Sequence, residues 1–257
     1  LTLQIGCNLA NDYSDGVRGA DDERTGPPRL TASGAVAPRT VKLAAFGCFG
    51  VGGLLGLALV ALSGQWWLLA VGAAAIAAAW FYTGGPRPYG YAGLGEVFVF
   101  VFFGLVATAG TAYVQGGTAP GWLWAAAGGV GLIACSLLMV NNLRDIDTDP
   151  AHGKMTLAVR LGEGGARRAF SLMLHVPLLL GAVALVWAHR ALGGSGAVWF
   201  VALAVVIAVL GAAAARAGGT VLAGATGRAL IPALRDAGLY ELLYGVALAG
   251  ALILASR

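Results

Sequence analysis

Apolar runs broken by short polar interruptions set the pattern of the chain. Runs at about 40–62, 65–83, 92–114, 120–141, 168–188, 197–215 and 238–255 are each about the length that crosses a hydrocarbon core of about 30 Å at about 1.5 Å per helical residue. None alternates apolar with polar positions as the strands of a transmembrane barrel do. The pattern therefore predicts seven spanning helices: an all-α, polytopic transmembrane bundle forming one domain over residues 1–257. The opening stretch Leu1-Thr2-Leu3-Gln4-Ile5-Gly6-Cys7 reads as the second half of a further span whose beginning is not in this sequence. A cut-down signal peptide is the alternative, but no charged n-region or cleavage site accompanies it.

Composition sharpens this picture. The chain has 257 residues, 58% hydrophobic and 11% charged, with a mean hydropathy of +0.79. Soluble domains carry about a quarter of their residues as charged groups, so a water-soluble globule is excluded. Cys7, Cys48 and Cys135 stand singly and show no metal spacing. With seven spans and a partial one, residues 1–39, 84–91, 142–167 and 216–237 fall on one side of the membrane. Of the 16 Lys and Arg, all but Arg190 and Arg257 belong to that side, which the positive-inside rule makes cytoplasmic. All 12 Asp and Glu go there too. The rule does not require that, so the acids call for a functional explanation.

They gather in two segments. In the first, Asn8, Asn11, Asp12 and Asp15 fall within a sector of about 100° at the end of a span. In the second, Asn141, Asp145 and Asp149 stack at i, i+4 and i+8, Asp147 points away, and Pro150 is expected to end the helix at Asp149. Each segment thus aligns oxygen ligands at the cytoplasmic end of a membrane helix. Carboxylates this close repel one another unless a cation is present, and magnesium takes one or two carboxylates together with phosphate oxygens of its substrate. Two such rows describe a site for a magnesium-bound diphosphate, with Arg18, Lys154 and Arg160 near enough in sequence to take the remaining charge. Asp21, Asp22, Glu23 and Asp147 read as ordinary solvated loop acids. Asn11, Asp15, Asp145 and Asp149 repeat one spacing in two separate segments at membrane level, where acids are functional by default.

These residues resemble the UbiA-type intramembrane aromatic prenyltransferases, nine-helix bundles with an aspartate-rich motif on the second helix and another on the sixth. Asn11-Asp12-Tyr13-Ser14-Asp15 is similar to the first motif, and Asp145 and Asp149 to the second. The opening segment would then be part of the second helix, the first would be absent, and the seven runs would be helices three to nine. Many members place a third acid four residues after the position of Asp15, where this chain has Gly19. Arg18-Gly19-Ala20-Asp21 resembles the menaquinone branch, the 1,4-dihydroxy-2-naphthoate prenyltransferases. So do Gly26-Pro27-Pro28-Arg29-Leu30, Gly90-Tyr91-Ala92-Gly93-Leu94-Gly95-Glu96, Asn141-Asn142-Leu143-Arg144-Asp145 and the stretch from Gly153-Lys154 to Gly162. The resemblance covers essentially the whole chain, and the abundance of Arg over Lys suits an actinobacterial source.

The resemblance implies a polyprenyl diphosphate and 1,4-dihydroxy-2-naphthoate as substrates, with demethylmenaquinone formed as carbon dioxide is lost, in the plasma membrane with the site facing the cytoplasm. It implies Mg2+ held by Asn11, Asp15, Asp145 and Asp149, with Arg18, Asn141, Asn142, Lys154 and Arg160 at the diphosphate. Tyr82 and Arg87 are candidates for the wall facing the allylic cation or acceptor; Tyr82 is equally an interfacial aromatic and Arg87 a topological anchor. Glu96, just inside a span, either handles the acceptor or pairs with Arg87. His175 reads as a buried histidine with a backbone partner, His189 as interfacial, and glycines such as Gly50, Gly52, Gly53, Gly56, Gly128, Gly129 and Gly131 as close-packing positions. A transporter with an acidic cytoplasmic site is the alternative from another class, though the spans are apolar at mid-depth. A prenyltransferase using 4-hydroxybenzoate or a ribose phosphate is the alternative within the enzymes.

Overall fold

The computed structural model describes residues 1–21, 28–194 and 196–255, and all regular structure among them is helical. Asp22, Glu23, Gly26, Pro27 and Arg257, named above, lie outside the described residues. The helices are α1 (Thr2–Val17), α2 (Pro38–Ser63), α3 (Leu68–Phe81), α4 (Gly95–Gly116), α5 (Gly121–Arg144), α6 (Leu157–Ala191), α7 (Ala197–Leu222) and α8 (Ile231–Ala255). Single 3-10 turns stand at Tyr89–Ala92, Asp149–His152 and Gly227–Leu230. Each apolar run has become a helix, and among the described residues 6 are long and apolar enough to cross a membrane.

The run at 65–83 is the one the structure shortens. Gly64, at φ 70°, ends α2, and the backbone from Gln65 to Trp67 makes an opening turn through bonds such as Leu68 N–H to the Gln65 carbonyl. At the other end Gly85 takes φ 75°. The helix left between them has 14 residues, about 21 Å at the α-helical rise and short of a hydrocarbon core.

Two compact units result, Leu1–Gly95 with Asp145–Arg160, and Glu96–Arg144 with Leu161–Arg257. In the first, α1 packs on α2 through Ala10, Ala45 and Phe49, with Leu3, Leu9, Ile76, Ala79 and Trp80 around them. Gly6 allows this approach, since a Cβ there would stand 2.8 Å from the Phe49 ring. Leu54, Leu55, Leu59 and Leu62 of α2 are exposed, a face suited to lipid.

In the second unit α5 is the buried helix, with Ala127, Ile133, Cys135 and Met139 inaccessible to solvent. The π-helical stretch Phe100–Ala109 of α4 lies against it backbone to backbone, because a Cβ on Gly104 would come within 2.4 Å of the Gly131 Cα. Gly50 and Gly56 do not follow that expectation: a Cβ on either would meet nothing within 4 Å. Helix α6 is kinked at Gly162 (φ 67°, ψ 168°), and Pro177 lies inside its later part, having no N–H to give the preceding turn. The Tyr240 hydroxyl donates to the Leu174 carbonyl at 3.0 Å and the Tyr244 hydroxyl to the Pro177 carbonyl at 3.1 Å. Two histidines differ from expectation. His175 is exposed, with its Nδ1 2.7 Å from the Ser171 carbonyl. His189 is buried, stacked on Trp199 at 3.9 Å.

Candidate active site

Helix α1 carries the first acidic segment and stops abruptly after it. Gly19 adopts φ 73°, its N–H donates to the Gly16 carbonyl, and the Ala20 N–H reaches back to the Asp15 carbonyl at 3.0 Å. This is a Schellman ending, which needs a left-handed residue at the position of Gly19. It gives a physical reason for the missing third acid: position 19 is no longer on the helix, and a side chain there would be strained.

The sector of polar residues on α1 divides in two. Asp12 is buried, and its two carboxylate oxygens accept the backbone N–H groups of Leu30 and Thr31, each at 2.8 Å. It fastens the returning loop to the helix. Asn11 and Asp15, one turn apart on a neighbouring line, face other partners. Asn11 Oδ1 accepts the Thr83 hydroxyl at 2.9 Å, and Asp15 Oδ1 accepts the Tyr91 hydroxyl at 2.9 Å. Arg18 donates to the carbonyls of Thr83 and Gly85 and lies 5.5 Å from the centre of the Tyr91 ring. Its guanidinium thus ties the 83–85 turn to the end of α1.

Tyr82 is half-buried, edge-on to Tyr89 at 5.5 Å, and its carbonyl accepts the Gly90 N–H. It supports the 89–92 turn, and the tyrosine on the acid is Tyr91. Arg87 is exposed on the intervening loop. Thr83 and Tyr91 were absent from the candidates read in the sequence. The only signal for Tyr91 was its place in the Gly90–Glu96 stretch.

The second segment departs from the expected geometry. Helix α5 ends at Arg144, five residues before Asp149, and Asp145 to Thr148 form a turn leading to the 3-10 helix. The cause is Pro150, which has no N–H for the Ile146 carbonyl, so the last regular turn is lost one turn ahead of the proline. The Asp145 carbonyl instead collects the N–H groups of Thr148 and Asp149 and the Thr148 hydroxyl. Asn141, Asp145 and Asp149 are therefore not a continuous helical row. Asp145 is half-buried and Asp147 exposed, as its phase suggested.

Asp149 is buried and turned toward the first segment. Lys154 Nζ lies 3.6 Å from Asp149 Oδ1 and 3.9 Å from Asp15 Oδ2, so one ammonium stands within 4 Å of an acid from each motif. The Met155 N–H donates to the Tyr91 carbonyl at 3.0 Å, which ties this segment to the 89–92 turn. Burial raises the Asp149 carboxyl to about 6; Lys154 opposes that shift, and the charges of Asp145 and Asp15 add to it. The Tyr91 phenol is likewise pushed up, first by burial and then by Asp15, so it stays a donor at neutral pH. Arg160 is exposed, with Nε donating to the Met155 carbonyl at 3.2 Å. Asp21 pairs with Arg29 at 3.6 Å.

In the second unit Asn141 is half-buried. The Asn142 Nδ2 donates to Glu96 Oε1 at 3.3 Å, and the Cys135 thiol to the Glu96 carbonyl at 3.1 Å. Asn142 is thus committed to Glu96.

Among the described residues no three His, Cys, Asp or Glu side chains are already gathered to hold a metal ion. The donor set nevertheless fits a hard divalent cation that arrives with phosphate. Magnesium needs only one or two carboxylates when its substrate supplies oxygens, and Asp149 Oδ2 is a buried oxygen with no hydrogen-bond partner.

Comparison with known proteins gives a consistent set of matches. The model of the UbiA prenyltransferase family matches residues 1–220. A 1,4-dihydroxy-2-naphthoate octaprenyltransferase from Mycobacterium tuberculosis is 48% identical over 257 residues, 98% of this chain and 82% of that protein. The protein of that name from Mycobacterium leprae is 45% identical, over 99% of this chain and 82% of its own length. The one from Escherichia coli is 44% identical over 70% of this chain and 59% of its own length. No solved structure matches.

Proposed function

Because this chain belongs to the UbiA prenyltransferase family, a family of multi-pass membrane enzymes, we propose that it transfers a polyprenyl group from a polyprenyl diphosphate to 1,4-dihydroxy-2-naphthoate. The observation that carries this reading is the 48% identity, along nearly the whole chain, to a relative named for that reaction. The meeting of Asp15, Asp149 and Lys154 supports it from the side of the chemistry. The reading takes residues 1–257 as one catalytic domain, with its charged mouth on the cytoplasmic side.

In the reaction the allylic C–O bond breaks with its electron pair going to diphosphate, and a C–C bond forms to the electron-rich ring. The ring carboxyl leaves as carbon dioxide, and its bonding electrons restore the aromatic system. Asn11, Asp15, Asp145 and Asp149 are the residues that would hold Mg2+, which when bound supplies Lewis-acid neutralisation of the departing diphosphate. Lys154 contributes a charge that can pair with a diphosphate oxygen. Thr83 and Tyr91 orient the Asn11 and Asp15 side chains through the hydrogen bonds already made, so these ligands need little rearrangement when substrate arrives. Arg18 acts through the 83–85 turn, and the ring of Tyr91 lies beside both Arg18 and Lys154. Asn141 and Arg160 remain candidates for the diphosphate. Tyr82 and Arg87 flank the turn that carries Thr83.

The test is turnover by protein purified in detergent with Mg2+ and a radiolabelled polyprenyl diphosphate, offered 1,4-dihydroxy-2-naphthoate and, separately, 4-hydroxybenzoate. The expected result is a labelled prenylated 1,4-dihydroxynaphthalene, which air oxidises to the naphthoquinone on work-up, with release of carbon dioxide only from the first. A product only from the second would move the assignment to the other acceptor, and consumption of neither would overturn it.

A further inference from the structure

Lys154 stands between two acids, and neither holds it closely. Its separations of 3.9 Å from Asp15 and 3.6 Å from Asp149 both exceed the length of a directed N–H···O bond, about 2.7–3.2 Å. The ammonium is therefore held by the field of two carboxylates and can leave without breaking tight bonds. The backbone beneath it is fixed. The Lys154 N–H donates to the Asp149 carbonyl at 3.0 Å, Gly153 turns the chain at φ 70°, and the Met155 N–H is on Tyr91. Only the flexible four-carbon stem needs to move, and a partly buried lysine is suited to that.

We propose that Lys154 is the resident counter-ion of the two acidic segments, holding Asp15 and Asp149 in place of a metal until a diphosphate arrives to receive the ammonium. This rests on the reading that these acids bind the divalent ion. An ammonium and a divalent cation cannot share the same two carboxylates without strong repulsion at such distances. Metal alone must therefore displace Lys154 with nothing to accept its charge, whereas metal with diphosphate exchanges one ion pair for two. The lysine thereby makes metal uptake conditional on substrate.

The experiment uses the full chain in detergent, Mn2+ as the probe and inorganic pyrophosphate as the partner, with bound metal read by electron paramagnetic resonance. For the unaltered protein, pyrophosphate is expected to tighten Mn2+ binding at least about ten-fold. Lys154→Gln is expected to bind Mn2+ alone about ten-fold more tightly than the unaltered protein and to lose most of the gain from pyrophosphate. Lys154→Arg keeps the charge and should stay close to the unaltered protein in its weak affinity for metal alone. If Lys154→Gln binds Mn2+ alone no more tightly, or keeps the full pyrophosphate gain, the proposal falls. A measurement on the unaltered protein guards against a misfolded variant. Acylation of Lys154, followed by mass spectrometry, should rise with saturating Mg2+ alone and fall when pyrophosphate is added, and a reactivity indifferent to both would overturn the proposal. Neither arm uses a prenyl chain or an aromatic acceptor. Failure to prenylate the naphthoate would thus count against the proposed reaction and leave this result standing, and the converse also holds.

Discussion

On α1 the Asn and Asp side chains of the first acidic motif each have protein donors, Asn11 from Thr83, Asp12 from two loop amides and Asp15 from Tyr91. The second segment is built on a turn, and its buried acid Asp149 has one oxygen facing Lys154 and another with no hydrogen-bond partner. One segment is a fixed template, its ligands aimed by protein donors. The other is receptive, with lone pairs available to an incoming ion. A site that must gather metal and diphosphate together needs both kinds, since donors aimed in advance shorten the reorganisation and an open oxygen gives the metal somewhere to bind.

The strongest way to break this contrast is to neutralise one acid from each side. Asp15→Asn and Asp149→Asn are each expected to lower kcat by about 10²–10³ while the protein keeps its thermal unfolding temperature in detergent. Turnover within a few-fold of the unaltered enzyme in either would remove that residue from the metal site.

Asp12 tests whether template and ligand are separate duties. Asp12→Ala strands the buried Thr31 amide, at about 1–3 kcal/mol, and removes the acceptor of the partly buried Leu30 amide, so it should lower thermal stability and activity together, with Asp12→Asn recovering part of both. Loss of activity at unchanged stability would make Asp12 a ligand and erase the division of α1 into two faces.

A smaller effect is expected from Tyr91→Phe, which keeps the ring and removes the donor to Asp15. A hydrogen bond to a charged group contributes about 1.5–3 kcal/mol, so kcat/KM should drop about ten-fold or more. Tyr82→Phe should change it much less, because it is Tyr91 that donates to the Asp15 carboxylate. Equal losses would return Tyr82 to the site. The smallest change belongs to Asp147→Asn. This acid is exposed on the turn, and its substitution should alter turnover by less than about two-fold, within the range of surface changes. A loss matching that of Asp149→Asn would show that the turn rearranges to present Asp147.

The sequence carried the helices well because an apolar run and the reach of a helix are local facts. It also placed Asp15, Asp149 and Lys154 at one end of the spans, and the structure has the lysine within 4 Å of both acids. It placed Asp149 on the wrong secondary structure, because the proline's missing N–H acts a full turn upstream and α5 stops at Arg144. Thr83 and Tyr91 lie 72 and 76 residues from the side chains they bond, and no period in the chain encodes such a pairing. The same holds for Asp12, whose partners are backbone amides of any residue type, and for Asn142, drawn to Glu96 46 residues away.

Tyr240 and Tyr244 sit one turn apart on α8, and both hydroxyls reach the stretch of α6 that contains Pro177. A proline within a membrane helix is often where two halves swing like a hinge. Here swinging would pull two phenol donors off their carbonyls in a layer with no water to replace them. Gly129 has no side chain because the Tyr244 oxygen would lie 2.0 Å from its Cβ, so that hydroxyl has little room to find another acceptor. The turn of α6 around Pro177 is thus a welded joint. The part of α6 after Gly162 and helix α8 should behave as one stiff beam through the catalytic cycle, and slow amide exchange around residues 173–178 would be its signature.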